Sequence, residues 1–220
     1  MQKIDPLPVV LDSSDIAARF RFDPARSGSL SLDDVIAQAQ KLISPRAVFD
    51  VAYVGEKGER TIELGGVVFE SGLLRKNLEI SNKVFPFIIT VGPELEREAA
   101  ARGDLLVQYY LEEIANLALE QAASRLAKTL EARFGLPSLS SLSPGSLADW
   151  PITEQPKLFS LFGDTKSLVG VRLTDSLFMI PRKSISGIFF PSEEGFVACQ
   201  LCDRENCPGR KAAFSADSST

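Results

Sequence analysis

Apolar and polar positions along this chain repeat with two different periods, and each change of period marks an element. Val35, Ile36, Ala39, Leu42 and Ile43 share one face of a helix, with Ser31 as its cap, Asp33 and Asp34 in its first turn and Pro45 beyond its end. A shorter helix is expected over 12–22, capped by Ser13 or Ser14, before a turn-rich patch at Pro24, Ser27 and Gly28. Residues 47–54 are rich in β-formers, 55–58 read as a turn, and 60–64 alternate as a return strand that Gly65 and Gly66 break. Residues 84–91 are apolar on both faces apart from Thr90, which predicts a central strand, although Pro86 cannot donate to a ladder. Gly92-Pro93 opens a helix that Gly103-Asp104 interrupts.

The longest helix is predicted over 104–134. Its apolar face comprises Leu105, Leu106, Tyr109, Ile114, Leu117, Ala118, Ala122, Leu126 and Leu130, and Gly135 and Pro137 end it. A loop rich in Ser, Leu, Pro and Gly follows over 136–151, then a short helix over 154–162. Strands are expected at 168–173 and 186–190, with a further one at 195–199 and a frayed end over 213–220. Helices and strands do not alternate strictly. The predicted class is therefore α+β, with a twisted, mostly antiparallel sheet packed against the long helix. The expected division is one domain over 1–198, packed from about residue 10 to residue 195, and a cysteine-bearing tail over 199–220.

Composition narrows the functional classes. The 220 residues carry a net charge of −5 with no basic cluster, which argues against nucleic acid as a partner. The apolar run at 84–91 is too short to cross a bilayer. Residues 1–8 include Asp5, Pro6 and Pro8 and lack the apolar stretch of a signal peptide, so a soluble cytoplasmic protein without a membrane partner is expected. The chain has no histidine, so neither a Ser–His–Asp nor a Cys–His mechanism can be assembled from it. There is no nucleophile elbow and no phosphate loop, which sets hydrolases and kinases aside.

A run of spaced positions between 140 and 190 carries a resemblance. Its first half is Ser143-Pro144-Gly145, Trp150-Pro151, Gln155, Leu158-Phe159 and Leu161. Its second half is Val169-Gly170-Val171, Leu173-Thr174-Asp175-Ser176, Met179, Pro181 and Lys183-Ser184-Ile185-Ser186-Gly187. With the Thr90-Val91-Gly92-Pro93-Glu94-Leu95-Glu96 segment and the helix after it, this resembles the activation domain of vitamin B12-dependent methionine synthase, and in particular its stand-alone relatives. The resemblance implies that domain's fold and an accessory role in cobalamin-dependent methyl transfer, with a corrinoid protein or the methionine synthase core as partner and cobalamin carried by that partner. The alternative is a ligand-binding or structural module of the same fold that has lost activation. The family's nucleoside-binding stretch, an arginine, two residues, then Pro-Gly-Tyr, falls here on Ser141, Pro144, Gly145 and Ser146. Serine offers neither the guanidinium fork nor the stacking ring, so S-adenosylmethionine is expected to bind weakly or not at all.

Several further residues are candidates, each with an ordinary structural role beside the functional one. The 141–151 loop is expected to wall a concave site beside 174–176 and 179–187, or else to be a connector whose Gly145 permits a positive φ. Trp150 would cover a flat ligand or fill the core. The 90–93 segment is either an anion-holding helix start or a plain strand-to-helix turn. Glu120 shares a helix face with Glu113 and would be an acidic side chain near the ligand, or a solvated charge. Cys199, Cys202 and Cys207, followed by Pro208, Gly209, Arg210 and Lys211, have the close spacing that thiolate ligands need. They would hold an iron–sulfur cluster or zinc, with a fourth ligand from elsewhere, or be three reduced thiols in a turn.

Overall fold

The structure, a computed structural model, describes residues 1–20, 31–192, 198–204, 207, 210 and 212–214. In chain order the elements are β1 Gln2–Ile4, α1 Ser13–Phe20, α2 Leu32–Leu42, β2 Arg46–Phe49, β3 Ala52–Lys57, β4 Thr61–Leu64 and β5 Val67–Glu70. Next come α3 Gly72–Asn77, β6 Lys83–Thr90, α4 Glu94–Ala101, α5 Leu105–Phe134 and β7 Leu139–Leu142. A 3-10 turn at Ile152–Glu154 leads into α6 Gln155–Ser160, then α7 Thr165–Val169, β8 Arg172–Leu173, β9 Met179–Ile180 and β10 Ser184–Pro191.

The strands build one eight-stranded sheet around β6, with β8 and β9 as a separate hairpin, and every pairing is antiparallel. Along one edge of β6 lies β10, with β7 beyond it. The other edge is shared: β2 covers 87–90, and β3 takes over at Val84 and Lys83. Pro86 sits at the junction of β2 and β3, where its carbonyl accepts the Asp50 N–H at 3.1 Å. The N–H that proline lacks therefore falls where the partner strand changes, and a proline is tolerated in a central strand.

The two faces of this sheet are covered differently. Ala47, Phe49, Phe85, Phe87, Ile89 and Phe189 pack against Ala122, Leu126 and Leu130 of α5. Val48 and Ile88, on the opposite face by strand alternation, pack against Phe159, Phe162, Val169 and Val171. The same face continues through Val84, Ile188, Phe190 and Leu142 to Trp150 and Leu158. The first half of α5 passes beyond the sheet and is buried by α1, α2 and α4, through Leu111, Ile114, Ala115 and Ala118. The α+β class with a long helix on a mostly antiparallel sheet is as the sequence predicts.

Local corrections have local causes. α1 is capped by Asp12, whose Oδ1 accepts the Ser14 and Asp15 N–H groups at 2.9 and 3.0 Å, rather than by Ser13 or Ser14. Gly65 and Gly66 do not end the hairpin; both have positive φ and turn the chain into β5, a third strand. β3 runs on through Lys57, so the turn falls at 58–60 instead of 55–58. The 136–151 loop contains β7, which places Ser141 in a strand. The run at 168–173 is divided: its first two residues end α7, which Asp164 caps by accepting the Ser167 N–H at 3.1 Å and Gly170 closes at φ 77°, and only Arg172–Leu173 is strand. Pairing begins at Gln2, so the sheet reaches further toward the N-terminus than residue 10. On α5, Leu105, Leu106 and Tyr109 are exposed, while Tyr110 and Leu111 join the core. Ala198–Gln200 is a 3-10 turn, and the rest of the predicted 195–199 strand lies outside the described residues. The turn-rich patch at 24–28 lies outside them as well.

Candidate functional site

The segments that carry the resemblance lie at the two ends of β10, the first beside β7 and the second beside α4 and α5. β7 is an edge strand, paired with β10 alone, and Ser141 lies opposite Phe189. A Cβ on Gly187 would stand 2.5 Å from the Leu142 carbonyl oxygen, so glycine is what lets β7 and β10 lie this close. After β7 the chain folds into a tight loop. The Gly145 N–H donates to the Trp150 carbonyl at 2.7 Å, and Gly145 has φ 81°. The Ser146 hydroxyl donates back to the Ser143 carbonyl at 2.6 Å. Ser141, Gly145 and Ser146 are exposed along this edge, with Pro144 buried behind them.

Trp150 does not offer a stacking face to solvent. It is 1% exposed, meets Phe69 edge-on and belongs to the core. Its neighbour Asp149 ties the loop down: it accepts from the Leu73 N–H and the Ser71 hydroxyl, both at 2.7 Å, and from Arg60 at 2.6 Å. Burial pushes the Asp149 carboxyl up, but these donors outweigh it and hold the pKa below the ordinary value. Sequence spacing did not single out Asp149 because its partners are more than seventy residues away.

The second half of the resemblance occupies the other end of β10. In the β8–β9 hairpin the Thr174 N–H donates to the Phe178 carbonyl at 2.9 Å, and the Phe178 N–H returns to the Thr174 hydroxyl at 3.1 Å. Leu173 and Met179 pack down while Phe178 stands out. The segment then clasps the helices. Arg182 reaches Glu96 on α4 at 2.7 Å and Glu112 on α5 at 2.8 Å; Lys183 reaches Glu112 at 2.7 Å and the Asn116 side-chain oxygen at 2.8 Å. Burial raises the Glu112 carboxyl, but Lys183 and Arg182 more than offset this and lower its pKa. The loop packs beside Ile188 and the clasp begins at Ser184, so about 13 Å of strand separates them at the usual rise.

Two sets of candidates lie elsewhere. Glu120 is on α5, on the opposite face of the sheet from Trp150, and receives both terminal nitrogens of Arg19 at 2.9 and 3.0 Å. It holds α1 to α5 and is not gathered to the loop. Cys199, Cys202 and Cys207 are half-buried and in no disulfide, and among the described residues no group of three or more Cys, Asp or Glu side chains is arranged to hold a metal. The iron–sulfur or zinc reading thus gains no support from the described residues. The organiser of the tail is Arg210, whose guanidinium donates to the carbonyls of Cys199, Cys202, Arg204 and Ala212 at 2.8–3.1 Å. Close cysteine spacing reflects a tight turn here, and an arginine can gather carbonyls as a metal gathers thiolates.

Similarity to solved structures decides the architecture. Over 90% of this chain and 80% of the other, it superposes on a crystal structure of the MetH reactivation domain bound to AdoHcy, with a TM-score of 0.58 and 17% identity. The chain has the MetH reactivation domain fold. No protein-family model matches it, and no curated protein sequence does. Within this fold the chain supplies no histidine, and no cysteine–carboxylate cluster among the described residues. No described helix is long and apolar enough to cross a membrane.

Proposed function

We propose that the protein is an accessory module of cobalamin-dependent methyl transfer, docking on a corrinoid protein or a methionine synthase core that carries the cobalamin. The observation that supports it is the fold shared with the MetH reactivation domain over nine-tenths of this chain. In this reading the exposed edge formed by Ser141, Gly145 and Ser146 meets an S-adenosylmethionine-like ligand, and the Pro144 and Trp150 side chains buried behind it keep that edge in place. The domain then extends over 1–198, the 199–220 tail is an appendage, and the protein works in the cytoplasm.

A second reading, a module of the same fold that no longer grips the nucleoside, is favoured by one observation. The Ser146 hydroxyl is spent on its own loop, and serine stands at both gripping positions. Calorimetry with AdoHcy separates the two. The accessory reading predicts weak binding by the wild type, in the range of about 0.1–1 mM. It also predicts at least a tenfold gain when Ser141→Arg is combined with Ser146→Tyr. No binding by either protein would remove the nucleoside from the account.

A further inference from the structure

Arg46 opens β2 and lies in register with Thr90 of β6, which in turn lies in register with Ser184 of β10. Strand alternation puts this row on the face that carries Val48 and Ile88, opposite α5. One row inward on the same face is Ser186, paired with Ile88. The open end of an otherwise apolar face is thus a patch of one arginine and three hydroxyls, with Gly170 at the end of α7 beside it. A Cβ built on Gly170 would be 3.8 Å from both Cζ and Nη2 of Arg46.

Arg46 has no acceptor among the described residues and, unlike the unpaired Arg97, Arg125, Arg133 and Arg172, it is not exposed; Arg210 Nε is the other buried guanidinium nitrogen left unpaired among them. Its Nε is fully buried and makes no hydrogen bond. Several other arginines in the fold are matched: Arg19 to Glu120, Arg60 to Asp149, Arg102 to Glu98 and Arg182 to Glu96 and Glu112. A guanidinium stays charged and carries five donors, and a buried donor without an acceptor is costly. The neighbouring hydroxyls do not relieve it. Ser184 donates within the row to Thr90 at 3.0 Å or to the Pro181 carbonyl at 2.7 Å, and Thr90 accepts the Gly92 N–H at 3.1 Å. Ser186 is 3% exposed and its hydroxyl makes no hydrogen bond among the described residues, so that hydroxyl is open to a ligand. Glu94 is held at 3.2 Å by the hydroxyl of Ser44, two residues before Arg46, and makes no ion pair with Arg46, and Asp50, four residues on, accepts from the Met1 amino group and the Val51 N–H.

We propose that Arg46, with Ser186 one row inward, forms a binding site for a small oxyanion, a carboxylate or a phosphate group. A planar fork of donors beside a free hydroxyl is complementary to two or three oxygens on one centre. The apolar floor of Val48 and Ile88 would strengthen that interaction by excluding water. The site goes beyond the corrinoid reading and stands independently of it.

Nitrogen-15 NMR of the full chain tests this at constant ionic strength, following the Arg46 Nε–H resonance, assigned by its disappearance in Arg46→Lys. Inorganic phosphate and acetate are titrated in separate arms, with chloride as the control. The expected result is a saturable shift with one of the two anions and none with chloride. Backbone amides around Thr90 and Ser186 should report the same binding, at least tenfold weaker in Arg46→Lys and unchanged in Arg125→Gln. The stronger arm identifies the ligand as phosphate or carboxylate. No saturable shift with either anion, or equal binding by Arg46→Lys, would overturn the site. So would a Glu94→Gln variant that abolishes the Nε–H shift, since Glu94 rather than the added anion would then be responsible for it.

Discussion

Asp149 shows how much one side chain can hold. It joins the loop after β7 to Arg60, to Ser71 and to the start of α3, and it is about 30% exposed in its ion pair with Arg60. Asparagine keeps one oxygen that can accept from Leu73 and Ser71, but its NH2 then meets the Arg60 donor head-on and the negative charge is lost. Asp149→Asn is therefore expected to lower stability at neutral pH by about 1–3 kcal/mol. Because its pKa is lower in the folded chain than in the unfolded one, the carboxylate stabilises fully above the ordinary carboxylate range. That share is lost as pH falls through the lowered folded value. Urea midpoints of wild type and Asp149→Asn should differ most at pH 7 and converge as pH falls below the ordinary carboxylate range. A gap that persists unchanged into acid would assign the effect to packing. Sequence alone named Pro144, Gly145 and Trp150, but the roles of Asp149 and Arg46 depend on strands far apart in the chain. Trp150 and Glu120 show the same limit, since residue type does not reveal which face of the sheet a side chain occupies.

Among the elements, punctuation was legible and short strands were not. Asp104 caps α5 by accepting the Leu106 and Val107 N–H groups at 2.8 and 3.2 Å, and Gly135 ends it at φ 62°, both where the sequence pointed. β5 and β7 were hidden because each has four residues beside glycine or serine, whose local preference is for turns. Leu168, Val169 and Val171 are apolar and partly β-branched and so suggest a strand over all of 168–173, yet an aspartate cap and a glycine stop make a helical turn through Val169 and leave only Arg172–Leu173 as strand. The apolar face of α5 was broader in sequence than in the packed molecule. Leu126 is wholly buried against the sheet, whereas Leu105 is 79% exposed. Leu126→Ala should cost about 2–5 kcal/mol and Leu105→Ala within about 0.5 kcal/mol in the same denaturation series. Comparable losses at both positions would mean that the helix is not seated as described.

At the scale of the molecule, one sheet has two differently covered faces. The α5 face carries the long helix, and the opposite face carries α6, α7, the β8–β9 hairpin and the Arg46 row. The α+β class was readable from the order and periods of the elements. The branching of the sheet at β6 was not, because it depends on β2 and β3 sharing one edge of a single strand. The cysteine spacing suggests a metal site or three thiols in a turn, and among the described residues Arg210 gathers the carbonyls of Cys199 and Cys202. The claim that matters most is that this fold still serves a cobalamin-bearing partner. The direct measurement is titration calorimetry of the full chain into a cobalamin-loaded methionine synthase core lacking its own reactivation domain, with the visible spectrum of the cobalamin followed in parallel. The account predicts a saturable one-to-one complex with a Kd near 10 µM or tighter, and a change in the cobalamin spectrum on binding. No heat and no spectral change at about tenfold higher concentration would contradict it.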